Sequence, residues 1–135
     1  MRFVDTNIFI RFLTKDDPVK AKACFKLFRE AEKGGLELQT TESIIAEIVY
    51  ILESKRLYNL SRSEIAKCLF PVIRIRKLRI PYKITMISAL EIYSRENIDF
   101  EDAVLVSHAL RTGSKEIYSY DKGIDKIMTI KRLEP

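Results

Sequence analysis

The chain has 135 residues, of which 47% are hydrophobic and 32% are charged, so its length predicts one domain over residues 1–135. This composition excludes a disordered chain, and no apolar run approaches the ~20 residues that span a bilayer. With 24 Lys and Arg against 19 Asp and Glu, the net charge is +5, which favours a polyanionic partner only weakly.

The N-terminal residues and the two cysteines predict a cytoplasmic protein with no membrane association. The N-terminus has one Arg and lacks the apolar stretch and small-residue cleavage site of a secretory signal. Cys24 and Cys68 lie far apart within helical patterns and do not have the spacing of a metal site. We interpret both as small core residues in a reducing compartment.

Short apolar segments alternate with helical patterns along the chain. A buried strand is expected at residues 2–5, and further strands at 36–39, 79–82, 116–120 and 129–132. Strands that alternate with helices predict the α/β class. We therefore expect about four or five strands in a central parallel sheet with helices on both faces.

The helices are delimited by start and stop signals. Asp17–Pro18 and the S-x-x-E sequence at Ser61 mark helix starts, and Gly34–Gly35 marks a helix end. We expect Pro71 to disturb the helix that starts at Ser61. The predicted helices are at 7–13, 18–34, 43–55, from 61 onward, 85–96 and 99–111, with a short helical turn at 123–127.

Two aspartates follow predicted strands at equivalent positions. Asp5 ends the first strand, and Asp121 ends the strand that contains IYSY. Either residue alone is explained as a helix cap or a turn residue. Together they predict one crevice, because the carboxyl ends of parallel strands are where such folds place their sites.

Glu47 interrupts an apolar helical segment. Its helix neighbours include Ile44, Ile48 and Ile51, none of which can form an ion pair with it. A carboxylate in such surroundings is expected to need a cation or hydrogen-bond donors. The alternative is a partly exposed glutamate at a wet edge of the helix.

Asp99 and Asp102 begin a predicted helix and are three residues apart, which suits the N-cap and N3 positions. Capping and the helix dipole account for both without catalysis, and we prefer that account for Asp99. Asp102 would project from the first turn and so could face the crevice.

Converging carboxylates suit Mg²⁺ or Mn²⁺, which prefer carboxylate and water ligands. Because like charges repel, a cation is needed to keep three or four such acids ionised. Two-metal sites of this kind cleave phosphodiesters. No nucleophilic triad and no glycine-rich phosphate loop is present, and His108 is interpreted as a structural helix residue.

Four segments in this order resemble the PIN domain family: DTN after the first strand, IIAEIVYIL, IDFEDAVLVSHAL and YSYD. The similarity extends over essentially the whole chain and is greatest to VapC-type toxin ribonucleases of bacterial and archaeal toxin–antitoxin pairs. It implies a single-domain α/β/α sandwich and Mg²⁺- or Mn²⁺-dependent endoribonuclease activity on RNA. It also implies a homodimer and inhibition by a cognate antitoxin of the VapB type.

The resemblance also implies roles for particular residues. The catalytic and metal-binding acids sharing one pocket would be Asp5, Glu47, Asp102 and Asp121. Ser119 would orient Asp5 or a metal-bound water, and Asn7 would steady the same cluster. Asp99 belongs to the motif with a less defined ligand role.

Other interpretations remain open from the sequence. A haloacid-dehalogenase-like phosphatase also has an Asp after its first strand, but it needs a second Asp where this chain has Asn7. A PIN ribonuclease of RNA processing or decay, or a PIN module that binds RNA or a partner without cutting, would carry the same segments. The basic segment RIRKLR either follows a phosphate backbone or forms a solvated face.

Overall fold

The computed structural model describes residues 1–135. Its α-helices are Thr6–Thr14 (α1), Pro18–Glu32 (α2), Glu42–Glu53 (α3), Arg62–Ile73 (α4), Lys83–Arg95 (α5) and Phe100–Arg111 (α6). Its strands are Arg2–Phe3 (β1), Leu38–Gln39 (β2), Leu78–Arg79 (β3), Glu116–Tyr118 (β4) and Lys131–Leu133 (β5), and a 3₁₀ helix covers Lys122–Lys126. None of the helices has the length and apolar character that a membrane crossing requires.

The chain divides into two compact units, Met1–Lys83 and Ile84–Pro135. The first contains β1 to β3 and α1 to α4, and the second contains α6, β4, β5, the 3₁₀ helix and nearly all of α5. In the first unit the strands pair in parallel in the order β1-β2-β3. In the second, β4 and β5 pair in parallel. The predicted α/β class and parallel pairing are confirmed.

The strands are shorter than predicted, and they hydrogen-bond as a three-stranded and a two-stranded set. Of the predicted strand at 79–82, only Arg79 lies in a strand. Pro81 and Tyr82 form the turn before α5, and Tyr82 has a positive φ of 52°. Proline cannot donate to a strand ladder, and a positive φ takes the chain out of extended geometry.

The expectation that Pro71 disturbs its helix is also wrong. The helix α4 continues through Pro71 to Ile73. Proline removes one intrahelical hydrogen bond, and here it does so in the last turn. The buried side chains of Leu69, Val72 and Ile73 hold that turn against the core of the first unit, so packing outweighs the missing bond.

Aromatic and branched side chains form the core of each unit. In the first unit the ring of Phe28 lies 5.2 Å from that of Phe9 and 4.9 Å from that of Phe12, which joins α1 to α2. In the second unit Tyr93 and Phe100 pack edge to face at 5.8 Å. These contacts fix the starts of α1 and α6, and both helix starts carry predicted site residues.

The strand β1 differs from the buried strand expected at residues 2–5. Both residues of β1 are exposed, and Val4, the residue after it, is buried. The buried face of the three-stranded sheet is formed by Val4, Leu38 and Leu78. The opposite face of this sheet carries Phe3, whose exposure is 70%.

Candidate metal-binding site

Asp5 lies between the end of β1 and the start of α1. The pairing with β2 fixes this point, because the Val4 amide donates to the Gln39 carbonyl at 2.8 Å and the Thr40 hydroxyl donates to the Val4 carbonyl at 2.9 Å. Asp5 is the N-cap of α1, and its Oδ1 accepts from the Asn7 amide at 3.1 Å. A carboxylate has a second oxygen, so this cap is compatible with a metal ligand.

Glu47 is held by a residue that the sequence analysis did not select. The buried hydroxyl of Thr6, the residue after Asp5, donates to Glu47 Oε2 at 2.7 Å. Glu47 itself is exposed. The argument that burial forces this carboxylate to find a cation is therefore wrong, because water reaches it and Thr6 supplies a donor. The bond places Glu47 beside the start of α1.

The signal for Thr6 was present in the DTN segment. A hydroxyl residue directly after a strand-ending aspartate becomes the first residue of the helix, and here its side chain contacts α3. Sequence alone could not identify Glu47 as its partner, because the two residues are 41 positions apart.

Three acids of the second unit converge. Asp99, Asp102 and Asp121 each offer a carboxylate oxygen, and these oxygens all lie within 4.8 Å of one another. Asp99 occupies the N-cap position of α6 but makes no side-chain capping hydrogen bond. Our preferred account of Asp99 as a helix cap is therefore not supported, and its carboxylate faces the other two acids.

The pKa values of Asp102 and Asp121 reflect their burial and their crowding. The pKa of Asp102 is raised from 3.8 to about 6, first by partial burial, then by the hydrogen bond and charge of Asp121, and also by the charge of Asp99. The pKa of Asp121 is lowered, first by the Gly123 amide, which donates to its Oδ1 at 2.8 Å, and then by Asp102. Below about pH 6 the proton of this pair therefore resides on Asp102, which donates it to Asp121 in a hydrogen bond.

Ser119 and Asp125 have structural contacts within the second unit. The Ser119 hydroxyl accepts from the Asp121 amide at 2.9 Å, so it orients the backbone of Asp121. Asp125, one helical turn after Asp121, forms an ion pair with Arg132 at 3.0 Å. Arg132 also donates to the Ser119 carbonyl at 2.9 Å, which ties β5 to the residues that follow β4.

The trio fits a divalent cation chemically. Its donors are all carboxylate oxygens, which Mg²⁺ and Mn²⁺ prefer. The pKa of Asp102 is raised by burial first and by the neighbouring carboxylates second, and a cation would offset both. The structure places Asp5, Asn7 and Glu47 in the first unit and Asp99, Asp102, Ser119 and Asp121 in the second. That Asp5, Glu47, Asp102 and Asp121 share one pocket stays a prediction.

The chain has parallel strands and carries acids at the starts of α1 and α6. Comparison with known protein families identifies the class of protein that has these features. The PIN domain profile matches residues 2–128, and the chain belongs to the PIN domain family. It is also 25% identical over 127 residues to the VapC ribonuclease of Aquifex aeolicus (strain VF5), across 94% of this chain and 92% of that protein.

The raised pKa of Asp102 predicts how stability depends on pH in chelator. The folded state keeps the Asp102 proton up to about pH 6, whereas the unfolded chain releases it near the ordinary value of about 4. This carboxyl therefore lowers stability progressively as pH rises from about 4 through 6. Asp102→Asn should raise the free energy of unfolding at pH 7.5 by about 1 kcal/mol after allowance for solvent screening.

Urea titrations across this pH range measure the effect. The difference between Asp102→Asn and the wild type should vanish below about pH 4, where both side chains are neutral. Glu101→Gln is the matched control, because it removes an exposed charge from the same helical turn. Its effect should be much smaller than that of Asp102→Asn, because Glu101 contributes least to the raised pKa of Asp102. If the free energies of unfolding of Asp102→Asn and the wild type differ by the same amount at every pH, the raised pKa of Asp102 is wrong.

Proposed function

We propose that this protein is a Mg²⁺- or Mn²⁺-dependent endoribonuclease and the toxin of a toxin–antitoxin pair. The observation that carries the proposal is the convergence of Asp99, Asp102 and Asp121 in a member of the PIN domain family. The similarity to a protein named VapC ribonuclease supports RNA as the substrate. A PIN ribonuclease of RNA processing or decay is the second candidate and predicts the same chemistry without an inhibitor.

We further propose that Asp5, Glu47, Asp102 and Asp121 are the metal-binding acids of the reaction. Asp102 and Asp121 would hold the cation directly with Asp99, and Thr6 would orient Glu47 through the 2.7 Å bond. A bound divalent ion supplies an activated water and stabilises the leaving oxygen. Asn7 keeps Asp5 in place through the helix cap, and Ser119 does so for the Asp121 backbone.

The acids and the metal are tested together on a panel of transfer, ribosomal and messenger RNAs. Cleavage should require Mg²⁺ or Mn²⁺, and Asp102→Asn or Asp5→Asn should lower kcat at least about a hundredfold, since each removes charge that holds the ion. Mg²⁺ should also raise the melting temperature of the wild type more than that of Asp102→Asn. Glu101→Gln, which lies outside the trio, is the control and should behave as the wild type.

The outcomes of this experiment separate the alternatives. Full turnover in chelator would contradict the metal mechanism. RNA that binds without being cut, with every metal tested, would identify a binding module instead. Unchanged cleavage by Glu47→Gln alone would remove Glu47 from the acid set and leave the trio of the second unit.

Thr6 provides a separate test of how Glu47 is held. Thr6→Val keeps the volume of the side chain but removes the donor to Glu47, so cleavage should fall to the level of Glu47→Gln. Thr6→Ser retains a hydroxyl and should restore most of the activity. Thermal melting serves as the stability control, because Glu47 is exposed and water can replace the lost bond. Equal activities of the Val and Ser variants would show that this bond has no role.

A toxin requires a partner that blocks it, and we propose a cognate antitoxin of the VapB type acting on a homodimer. A concentration of carboxylates in a chain of net charge +5 suits a basic inhibitor residue. Arg is the best candidate, because its planar guanidinium pairs with two carboxylates at once. A short, flexible segment of the antitoxin would lay apolar residues against α1 and α3 and order as it binds.

Inhibition should therefore compete with the metal. The apparent inhibition constant of the antitoxin should rise with Mg²⁺ concentration, and replacing its basic residue by Ala should weaken inhibition at low Mg²⁺. Cleavage assays at several Mg²⁺ concentrations measure both effects. Equal inhibition at every Mg²⁺ concentration, with no dependence on the basic residue, would indicate that the antitoxin blocks the RNA path instead.

A further inference from the structure

The guanidinium of Arg132, on β5, joins three segments of the second unit. Its side chain is only 12% exposed. Nη1 donates to the Ser119 carbonyl at 2.9 Å and to Glu134 Oε1 at 2.7 Å, and Nε donates to Asp125 Oδ1 at 3.0 Å. Because the planar guanidinium holds its donors in a rigid arrangement, these bonds fix the three segments relative to one another.

Two of these contacts lie on either side of Asp121 in the chain. Ser119 precedes Asp121 by two residues, and Asp125 follows it by four. The Ser119 amide also donates to the Leu133 carbonyl at 3.0 Å, so both main-chain groups of Ser119 are bonded to β5. Arg132 therefore holds the chain before and after an acid of the trio.

Short contacts connect these held residues to the Asp121 carboxylate. The Asp121 amide donates to the Ser119 hydroxyl at 2.9 Å, and the Gly123 amide donates to Asp121 Oδ1 at 2.8 Å. Gly123 belongs to the same 3₁₀ helix as Asp125. A Cβ at position 123 would lie 3.0 Å from Asp121 Oδ1, so the helix approaches this carboxylate closely. A shift of Ser119 or of the 3₁₀ helix would therefore move the carboxylate relative to the rest of the trio.

The charge of Arg132 does not explain this arrangement. The guanidinium forms ion pairs with two carboxylates, Asp125 and Glu134, which compensate its charge. The group that it contacts next to Asp121 is the neutral carbonyl of Ser119. A positive charge beside the trio would also oppose a metal cation instead of assisting it. The contacts of Arg132 are therefore explained by the geometry that they impose.

We propose that Arg132 is a positioning residue that holds Asp121 at the separation from Asp99 and Asp102 that a divalent cation requires. Mg²⁺ demands near-ideal octahedral geometry, so a small displacement of one carboxylate weakens binding. The proposal rests on the proposed function, to which it adds a residue that acts on the cation site through Ser119 and Asp125.

Two variants of Asp125 separate geometry from charge. Asp125→Asn and Asp125→Ala remove the same charge, but only the Asn side chain keeps an oxygen that can accept from Arg132 Nε. The dissociation constant of Mg²⁺, measured by calorimetry without RNA, should rise about tenfold for Asp125→Ala and stay close to the wild-type value for Asp125→Asn. The Asp125 side chain is 54% exposed, so both variants should fold. Equal constants for the two variants would overturn the proposal.

Variants of Arg132 itself predict a difference in sign. If Arg132 positions Asp121, both Arg132→Lys and Arg132→Met should weaken Mg²⁺ binding, because neither side chain can bond Ser119 and Asp125 with the same rigid geometry. If only its charge mattered, Arg132→Met would bind Mg²⁺ more tightly and Arg132→Lys would match the wild type. Lys131→Met is the control, because it removes an exposed charge from the neighbouring position of β5. Urea titration checks that each variant is folded, and the Asp125 pair decides the matter if Arg132→Met is not.

Kinetics supply a second readout. At Mg²⁺ concentrations below the dissociation constant, Asp125→Ala should lower kcat about tenfold and leave KM for RNA unchanged, and excess Mg²⁺ should restore most of kcat. A loss of kcat that excess Mg²⁺ does not restore would contradict a role in cation binding.

The results also separate this proposal from the proposed function. A wild type that cuts RNA, together with variants that all bind Mg²⁺ equally well, would overturn the role of Arg132 alone. A wild type that binds Mg²⁺ but cuts no RNA would overturn the proposed function, while weaker Mg²⁺ binding by Asp125→Ala than by Asp125→Asn would still establish the positioning role. A wild type that binds neither Mg²⁺ nor Mn²⁺ would overturn both.

Discussion

The parallel pairing of β1 with β2 is the constraint on which the first half of the molecule depends. β1 has two residues, so its position is set by few interactions: the Arg2 and Val4 amides donate to the Glu37 and Gln39 carbonyls, and Thr40 donates to Val4. These bonds fix the point at which Asp5 leaves the strand and α1 begins. They also fix which side chains face the core and which face water.

That point of departure links two site residues through one hydroxyl. Thr6 is the first residue of α1 and is buried, so its hydroxyl needs a partner. Glu47 supplies the acceptor, and α3 is thereby connected to the start of α1 by a polar contact in addition to apolar packing. The same hydrogen bond therefore satisfies the buried threonine and orients the proposed catalytic glutamate.

In the second unit the governing effect is the crowding of three carboxylates at one partly buried place. Asp99 and Asp102 sit at the start of α6, where the helix dipole favours negative charge, and Asp121 reaches the same place from the end of β4. The dipole and the Gly123 amide stabilise part of this charge, but the raised pKa of Asp102 shows that they do not compensate all of it. Such an arrangement lowers the stability of the metal-free fold and favours cation binding.

The sequence by itself determined the α/β class, the parallel strands, the starts of α2 and α4, and the family. These follow from local periodicity, capping residues and the order of four short segments, all of which act over a few neighbouring positions. It also predicted Asp102 and Asp121 as site residues, since one lies in the first turn of a helix and the other follows a strand, but it assigned Asp99 to capping. Only the tertiary structure decided the rest, because long-range contacts set it. Neighbouring residues do not reveal that Glu47 is exposed and bonded to Thr6, or that the Asp99 side chain makes no capping hydrogen bond. Nor do they reveal that packing carries α4 past Pro71. The apolar pattern at residues 2–5 likewise predicted a buried strand, whereas both residues of β1 are exposed and Val4 alone is buried.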